Sequence, residues 1–166
     1  MYKGNHNRYT QETIRSLFAI IKLVMELKLR KATQSDLAEV NSWLESDTGP
    51  QEFVGAYEPT QQIINVENIN TGWVALWKDD LVAFASLVES PANQANIGFI
   101  VKPTRRREGI AETFVPMLLE RNEIHAFSKI VGTPHLEDTA AQKILQRSGF
   151  HQIGYDENGL VIFERR

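Results

Sequence analysis

Apolar and polar residues alternate with two different periods along this chain, and the switches between them divide it into elements. Ile14, Leu17, Phe18, Ile21, Val24 and Met25 recur at helical spacing, which predicts an amphipathic helix starting near Thr10. From Leu27 the run LKLRKA reads as a first strand. Thr33 with Asp36 three residues later resembles a capping box with Asp in the Glu/Gln place, and Leu37, Val40 and Leu44 give the following helix a buried face. Residues 46–70 are polar, carry Gly49, Pro50 and Pro59, and predict no element. GWVALW and LVAFASLVES are two apolar runs joined by Lys78-Asp79-Asp80, a hairpin. NIGFIVK is a further strand ended by Pro103. GIAETFVPMLLERN is helical by spacing, with Pro116 expected to kink it by removing a backbone donor. KIVGT is a strand, and DTAAQKILQRSG a helix with Asp138 as N-cap and Gly149 as C-cap. HQIGY and LVIFE flank Asp156-Glu157-Asn158-Gly159, a closing hairpin.

Hairpin strands followed by strand-helix-strand predict an α/β chain, a mixed sheet with helices on its faces. A doubly wound nucleotide-binding fold would alternate strand and helix throughout, so it is excluded. At 166 residues the chain suits one domain with a full core, and 42% hydrophobic with 23% charged residues is ordinary for a soluble globular protein. A net charge of -3 argues against a general nucleic-acid binder. With no cysteine there is no disulfide, thiolate metal site or cysteine nucleophile. RSLFAIIKLVMEL, residues 15–27, is interrupted by Lys22 and Glu26, has no small-x-small site after it, and is too short to span a bilayer. The expectation is a cytoplasmic protein without a membrane anchor. Residues 1–26 then form an N-terminal amphipathic helical extension and 27–166 the domain, with Met25 as an alternative start.

The chemistry concentrates in VKPTRRREGIAETF, residues 101–114. A strand ends at Pro103 and a helix starts around Arg107 to Gly109, which leaves the first amides of that helix without intrahelical partners. Those amides, the helix dipole and flanking guanidinium groups make an anion site; Gly109 permits close approach and Ala111 keeps the next turn uncrowded. The bland alternative is a solvated turn.

Val101-x-Pro103 followed by Arg106-x-x-Gly109-x-Ala111 resembles the acyl-CoA-binding motif of the GNAT superfamily of N-acetyltransferases, Gln/Arg-x-x-Gly-x-Gly/Ala. TPHLEDTAAQKILQRSGFHQIG is similar to the superfamily's closing strand-helix segment, and its form is closer to the branch that includes ribosomal-protein N-terminal acetyltransferases. The resemblance covers roughly residues 27–166. It implies a mixed, mostly antiparallel, twisted sheet with helices on both faces, and acetyl transfer from acetyl-CoA to an amine without a metal. It also implies that residues Arg106, Arg107, Glu108, Gly109, Ile110 and Ala111 cradle the CoA diphosphate. The strand ending at Val101 would hydrogen-bond the pantetheine arm and splay from the strand at 128–133. Asp138 stands where relatives carry Asn, and Lys143 and Arg147 neighbour the nucleotide phosphates or are surface charges.

Acyl transfer needs a base for the amine, a donor for the oxyanion and a proton for the leaving thiolate. A backbone amide near Ile100 or Val101 suits the oxyanion. Where many relatives place an acidic tyrosine this chain has Leu145, which cannot donate. Glu89, ending a central strand, and His135, just past the fifth strand, are the base candidates beside the bland readings of strand-end carboxylate and loop histidine. Trp43, Phe53, Tyr57 and Trp73 are candidate aromatic walls for the acceptor or core residues. Glu45, Asp47, Glu52 and Glu58 would steer a cationic amine or serve solubility. The expectation is an acetyl-CoA-dependent N-acetyltransferase acting on a primary amine of a small molecule or protein N-terminus, with a homodimer left open. Its rivals are a non-catalytic acyl-CoA-binding module and a phosphate-binding interaction domain using Arg105 to Arg107 for nucleic acid.

Overall fold

The computed structural model describes Thr13, residues 26–46 and residues 72–166, with the side chains of 44–46 set aside. The helix expected near Thr10 and the polar stretch with Asp47, Glu52, Phe53, Tyr57 and Glu58 otherwise lie outside the described residues, as does the Glu45 side chain. β1 (Leu27–Lys31), β2 (Gly72–Trp77), β3 (Asp80–Ser90) and β4 (Gln94–Val101) pair in sequence as antiparallel neighbours. β5 (Lys129–Gly132) lies parallel to β4, and β7 (Val161–Arg165) and β6 (His151–Tyr155) follow antiparallel, giving the sheet order β1-β2-β3-β4-β5-β7-β6. The helices are α1 (Gln34–Ser46), α2 (Ile110–Leu119), α3 (Asn122–His125) and α4 (Thr139–Arg147).

Side chains from both faces of the sheet are buried against helices. Leu37, Val40 and Trp43 of α1 cluster with Val74, Leu81 and Phe84. On the other face Ile110, Phe114, Val115 and Leu118 of α2 and Leu145 of α4 cluster with Ala83, Ala85, Leu87, Ile97 and Ile130. Strand alternation explains the division, since Ala83, Ala85 and Leu87 share one face of β3 and Phe84 points to the other. Trp43 and Trp73 fall into opposite clusters at 4% and 3% exposure, so both are core residues and neither walls a site.

The turns follow the local chemistry. Lys78 and Asp79 both take positive φ (52° and 69°), the handedness that matches the twist of a two-residue hairpin. At the closing hairpin, Asp156 Oδ1 accepts from the amides of Asn158 (2.9 Å) and Leu160 (2.7 Å). At α1 only half of a capping box forms. Asp36 Oδ2 accepts from the Thr33 amide (2.6 Å) and from its hydroxyl (2.7 Å), while the Asp36 amide donates to the Thr33 carbonyl. Arg30 on β1 completes the site with a bidentate pair to Asp36 (2.7 and 2.8 Å).

The helix expected over GIAETFVPMLLERN ends earlier, at Leu119. It runs through Pro116, and beyond it the Glu120 amide donates to the Pro116 carbonyl (3.1 Å). Arg121 is then extended (φ -72°, ψ 137°), and the chain begins again as α3, a separate short helix. Asp138 caps α4 by accepting from the Ala141 amide (2.9 Å). At its other end Gly149 takes φ 86°, with Phe150 N–H donating to the Leu145 carbonyl and Gly149 N–H to that of Gln146, a Schellman close.

Candidate active site

β4 is longer than its pairing with β5. The two strands meet only at Gln94–Lys129, Ala95–Ile130 and Asn96–Val131. β4 continues to Val101 along β3, whereas β5 ends at Gly132, so Ile97 to Val101 face a gap on one side. Antiparallel pairing makes backbone groups point alternately to one neighbour and the other. The Lys102 amide donates to the Val82 carbonyl (2.9 Å), which sets the phase. Gly98 and Ile100 therefore aim their backbone groups at β3, and Ile97, Phe99 and Val101 aim theirs into the gap. Of the expected pair, the Val101 amide faces the gap and the Ile100 amide does not. The amides of Ile97 and Phe99 join it; strand alternation was the signal for them, but its phase is fixed only by the register with β3.

Gly132 and Leu145 shape the opposite wall. A Cβ on Gly132 would stand 2.9 Å from Leu145 Cδ1 and 3.6 Å from Ile97 Cγ2, so α4 lies directly over this glycine. Leu145 is 1% exposed and offers an apolar surface without a proton donor. Lys143 is exposed on α4, and Arg147 is ion-paired with Glu112 of α2, an exposed contact that links the two helices. The Asp138 carboxylate is engaged in capping α4.

Beyond β4 the chain makes a short 3-10 turn, Pro103–Arg105, before reaching α2. Arg107 and Gly109 take positive φ (65° and 77°), and Gly109 is the N-cap of α2. The first hydrogen bond of the helix runs from Thr113 to Gly109 (3.2 Å). Among the described residues, the amides of Arg107, Glu108 and Gly109 donate to no backbone acceptor, and those of Ile110, Ala111 and Glu112 are the free donors of a helix start. Alternating left- and right-handed residues at a helix N-terminus form a concave array of donors suited to an anion. Helix formation starts at Ile110, slightly later than expected, and Ile110 and Ala111 are buried, so their side chains face the core.

The three arginines divide. Arg105 turns inward, donating from Nε to Glu108 (3.0 Å) and from NH1 to Asp80 (3.1 Å), with its guanidinium 4.5 Å from the Trp77 ring centroid. Its pKa is raised, first by the hydrogen bond to Glu108. Lys102 bonds Asp80 (2.8 Å) and Glu39 (3.0 Å), which raises its pKa as well, through Asp80 first. The loop is thereby tied to β3 and α1. The expected ligand Glu108 commits its carboxylate to Arg105. Arg106 and Arg107 are exposed.

The base candidates are not brought together. Glu89 is exposed and lies opposite Ala95, at the paired end of the gap. His135 follows the end of β5 at the open end, half-buried; its Nδ1 faces the Glu137 amide (3.4 Å) and its carbonyl accepts from Gln142 (3.0 Å). Among the described residues no group of three or more His, Asp or Glu side chains is placed to hold a metal ion, and no helix is long and apolar enough to cross a membrane.

The seven-stranded mixed sheet thus opens between its central parallel strands, with a helix N-terminus beside the opening. Residues 26–151 match the family model of the acetyltransferase (GNAT) domain, and the chain belongs to that family. No curated protein sequence matches it. Solved structures share its fold at low identity. The aminoglycoside acetyltransferase AAC(6')-Ib in complex with ribostamycin and coenzyme A is 17% identical over 84% of this chain and 93% of that one, with a TM-score of 0.66. A spermidine N-acetyltransferase SpeG chimera from Vibrio cholerae and hSSAT is 19% identical over 84% and 94%, with a TM-score of 0.62. A GNAT-family acetyltransferase from Bacillus anthracis is 17% identical over 84% and 92%, with a TM-score of 0.64.

Proposed function

We propose that this protein transfers the acetyl group of acetyl-CoA to a primary amine, on a small molecule or a protein N-terminus. The observation that carries the reading is the early end of β4–β5 pairing beside the open amides of residues 107–112. The gap takes an extended pantetheine arm, hydrogen-bonded to the backbone of Ile97, Phe99 and Val101 as an added strand would be. The amides 107–112 with Arg106 and Arg107 take the diphosphate, and Lys143 lies on the helix flanking the nucleotide.

In this arrangement the amine nitrogen attacks the thioester carbonyl, a C–N bond forms and the C–S bond breaks. A gap-facing amide of β4 stabilises the oxyanion. The amine proton passes to a base, Glu89 or His135, and the CoA thiolate takes its proton from water because Leu145 has none to give. Leu145 also supports the second reading, a module that binds acyl-CoA without turnover. Calorimetry with CoA and a thiol-release assay over a panel of amines separate the two: a catalyst releases thiol with at least one amine, and a binding module with none. A charge-assisted hydrogen bond contributes about 1.5 to 3 kcal/mol, so Arg106→Ala should weaken CoA binding roughly ten- to a hundredfold. Unchanged affinity in the folded variant would remove the phosphate cradle from this loop. Thiol release should show one rising limb with pH, from the base or from the amine itself; Glu89→Gln or His135→Gln removes the limb only where that residue is the base. A falling alkaline limb that disappears with a single Tyr or Ser substitution would instead reveal a side-chain acid.

A further inference from the structure

The gap between β4 and β5 has a closed head. The last pair of the two strands is Asn96–Val131, and the residues that follow, Ile97 and Gly132, stand on either side of the point where the strands part. One face of that point is filled with carbon. A Cβ on Gly132 would meet Leu145 Cδ1 at 2.9 Å, Leu145 Cδ2 at 3.2 Å and Ile97 Cγ2 at 3.6 Å, so the branched ends of Leu145 and Ile97 already occupy the space over the glycine. Ile97 and Leu145 are 7% and 1% exposed and belong to one apolar cluster, with Phe99 and Val101 packed against it farther along the gap. The opposite face differs, because there the β4 residue after Ile97 is Gly98, which adds no side chain.

With acetyl-CoA bound as proposed, a reading on which this inference rests, length places the acyl carbon. From Val101 to Ile97 the strand rises about 13 Å, comparable to an extended pantetheine arm. A CoA held by its diphosphate at residues 107–112 therefore brings its sulfur to the head of the gap. The thioester carbon carries its three substituents in one plane. Its sulfur lies back along the gap, and its oxygen turns to a gap-facing amide of β4. The third substituent, the acyl chain, is then directed at the head and toward Gly132 of β5. An amine attacks from outside that plane, on the face where β4 presents Gly98, since Leu145 fills the other. A methyl group fits against the bare backbone of Gly132. Further carbons run into the Asn96–Val131 pairing ahead of them or the Leu145 methyl groups beside them.

We infer that Leu145, packed over Gly132 and Ile97, sets the length of acyl chain that this site accepts and limits it to acetyl. The glycine supplies the room for one methyl group, and the leucine removes the room for more.

Calorimetry on the full chain with CoA, acetyl-CoA, propionyl-CoA and butyryl-CoA, without an amine, tests this. Each affinity is taken relative to that of free CoA for the same protein, which removes any general change in CoA binding. In the wild type, butyryl-CoA is expected to bind roughly tenfold or more weakly than acetyl-CoA, because extra methylenes are forced into a packed site. Leu145→Ala should narrow that ratio to about threefold or less, since its cavity takes the longer chain. Should Leu145→Ala fold poorly, as read by its melting curve, Leu145→Val keeps a branched apolar side chain and is expected to relieve propionyl-CoA first. A wild type that binds acetyl-CoA and butyryl-CoA alike overturns the inference. So does a ratio that the folded variants leave unmoved. CoA binding without discrimination by chain length removes this inference and leaves the proposed function standing. Discrimination without thiol release from any amine supports this inference and removes the catalytic reading, and a protein that binds no CoA removes both.

Discussion

Asp36 fixes how α1 leaves β1. Its carboxylate accepts two hydrogen bonds from Arg30, one from the Thr33 amide and one from the Thr33 hydroxyl, at 9% side-chain exposure. These bonds, Arg30 foremost, outweigh the cost of burial and hold its pKa at about 2, against an ordinary 3.8. A carboxyl whose pKa is lower folded than unfolded adds stability above its unfolded value and loses it as pH falls toward its folded value. The difference corresponds to about 2 kcal/mol. Asp36→Asn should therefore lower the unfolding free energy by about that amount at neutral pH, with the deficit shrinking as pH falls from about 4 to about 2. Urea unfolding of both proteins across that range checks it; a deficit independent of pH would assign the loss to geometry instead of charge. The Thr33–Asp36 spacing was legible in the sequence, but Arg30 was not. Its role depends on the turn that folds β1 back beside the helix start, which no local pattern specifies.

At the scale of elements, the loop after β4 shows what a charge run conceals. Three successive arginines read as one anion site, yet Arg105 is a strut to Glu108, Asp80 and Trp77, tying the loop back to the β2–β3 hairpin. α4 poses the complementary question of fit. Its Leu145 lies so close over β5 that Gly132 has no room for a side chain. Gly132→Ala should cost about 1 to 3 kcal/mol by overpacking, and Leu145→Ala about 2 to 5 kcal/mol through lost contacts and a cavity. In the Leu145→Ala background the same glycine change should become neutral or stabilising, because the new methyl then fills the void. Denaturation of the two single variants and the double variant measures that coupling. Additive losses would mean that the two residues do not share space. Neither substitution should add a pH-dependent step to turnover, since no proton resides there.

For the whole molecule, the order of strands and helices was legible because the hydrophobic period switches cleanly between two and three to four residues. The sequence could not show where β4 and β5 part, which depends on register between segments more than 30 residues apart, or which β4 amides face the gap, which depends on the register of β4 with β3. Trp43 and Trp73 were unassigned for a related reason: each is a sound core residue or a sound site wall until the sheet's faces are known. The assembled sheet bears on where the site's residues begin. The gap, the loop and the covering helices come from residues 94–147, while β1 lies at one edge of the sheet, three strands from β4. Glu26 belongs to the body, since its carboxylate accepts from the Trp77 indole (2.7 Å). A chain starting at Met25 keeps that bond and the whole candidate site. It should stay folded and bind CoA within about twofold of the full chain, about 0.4 kcal/mol, as calorimetry will show, because every residue assigned to the candidate site is kept. A soluble, folded truncation that has lost CoA binding would show that residues 1–24 complete the site, and the domain boundary would then have to be drawn at the first residue instead of at β1.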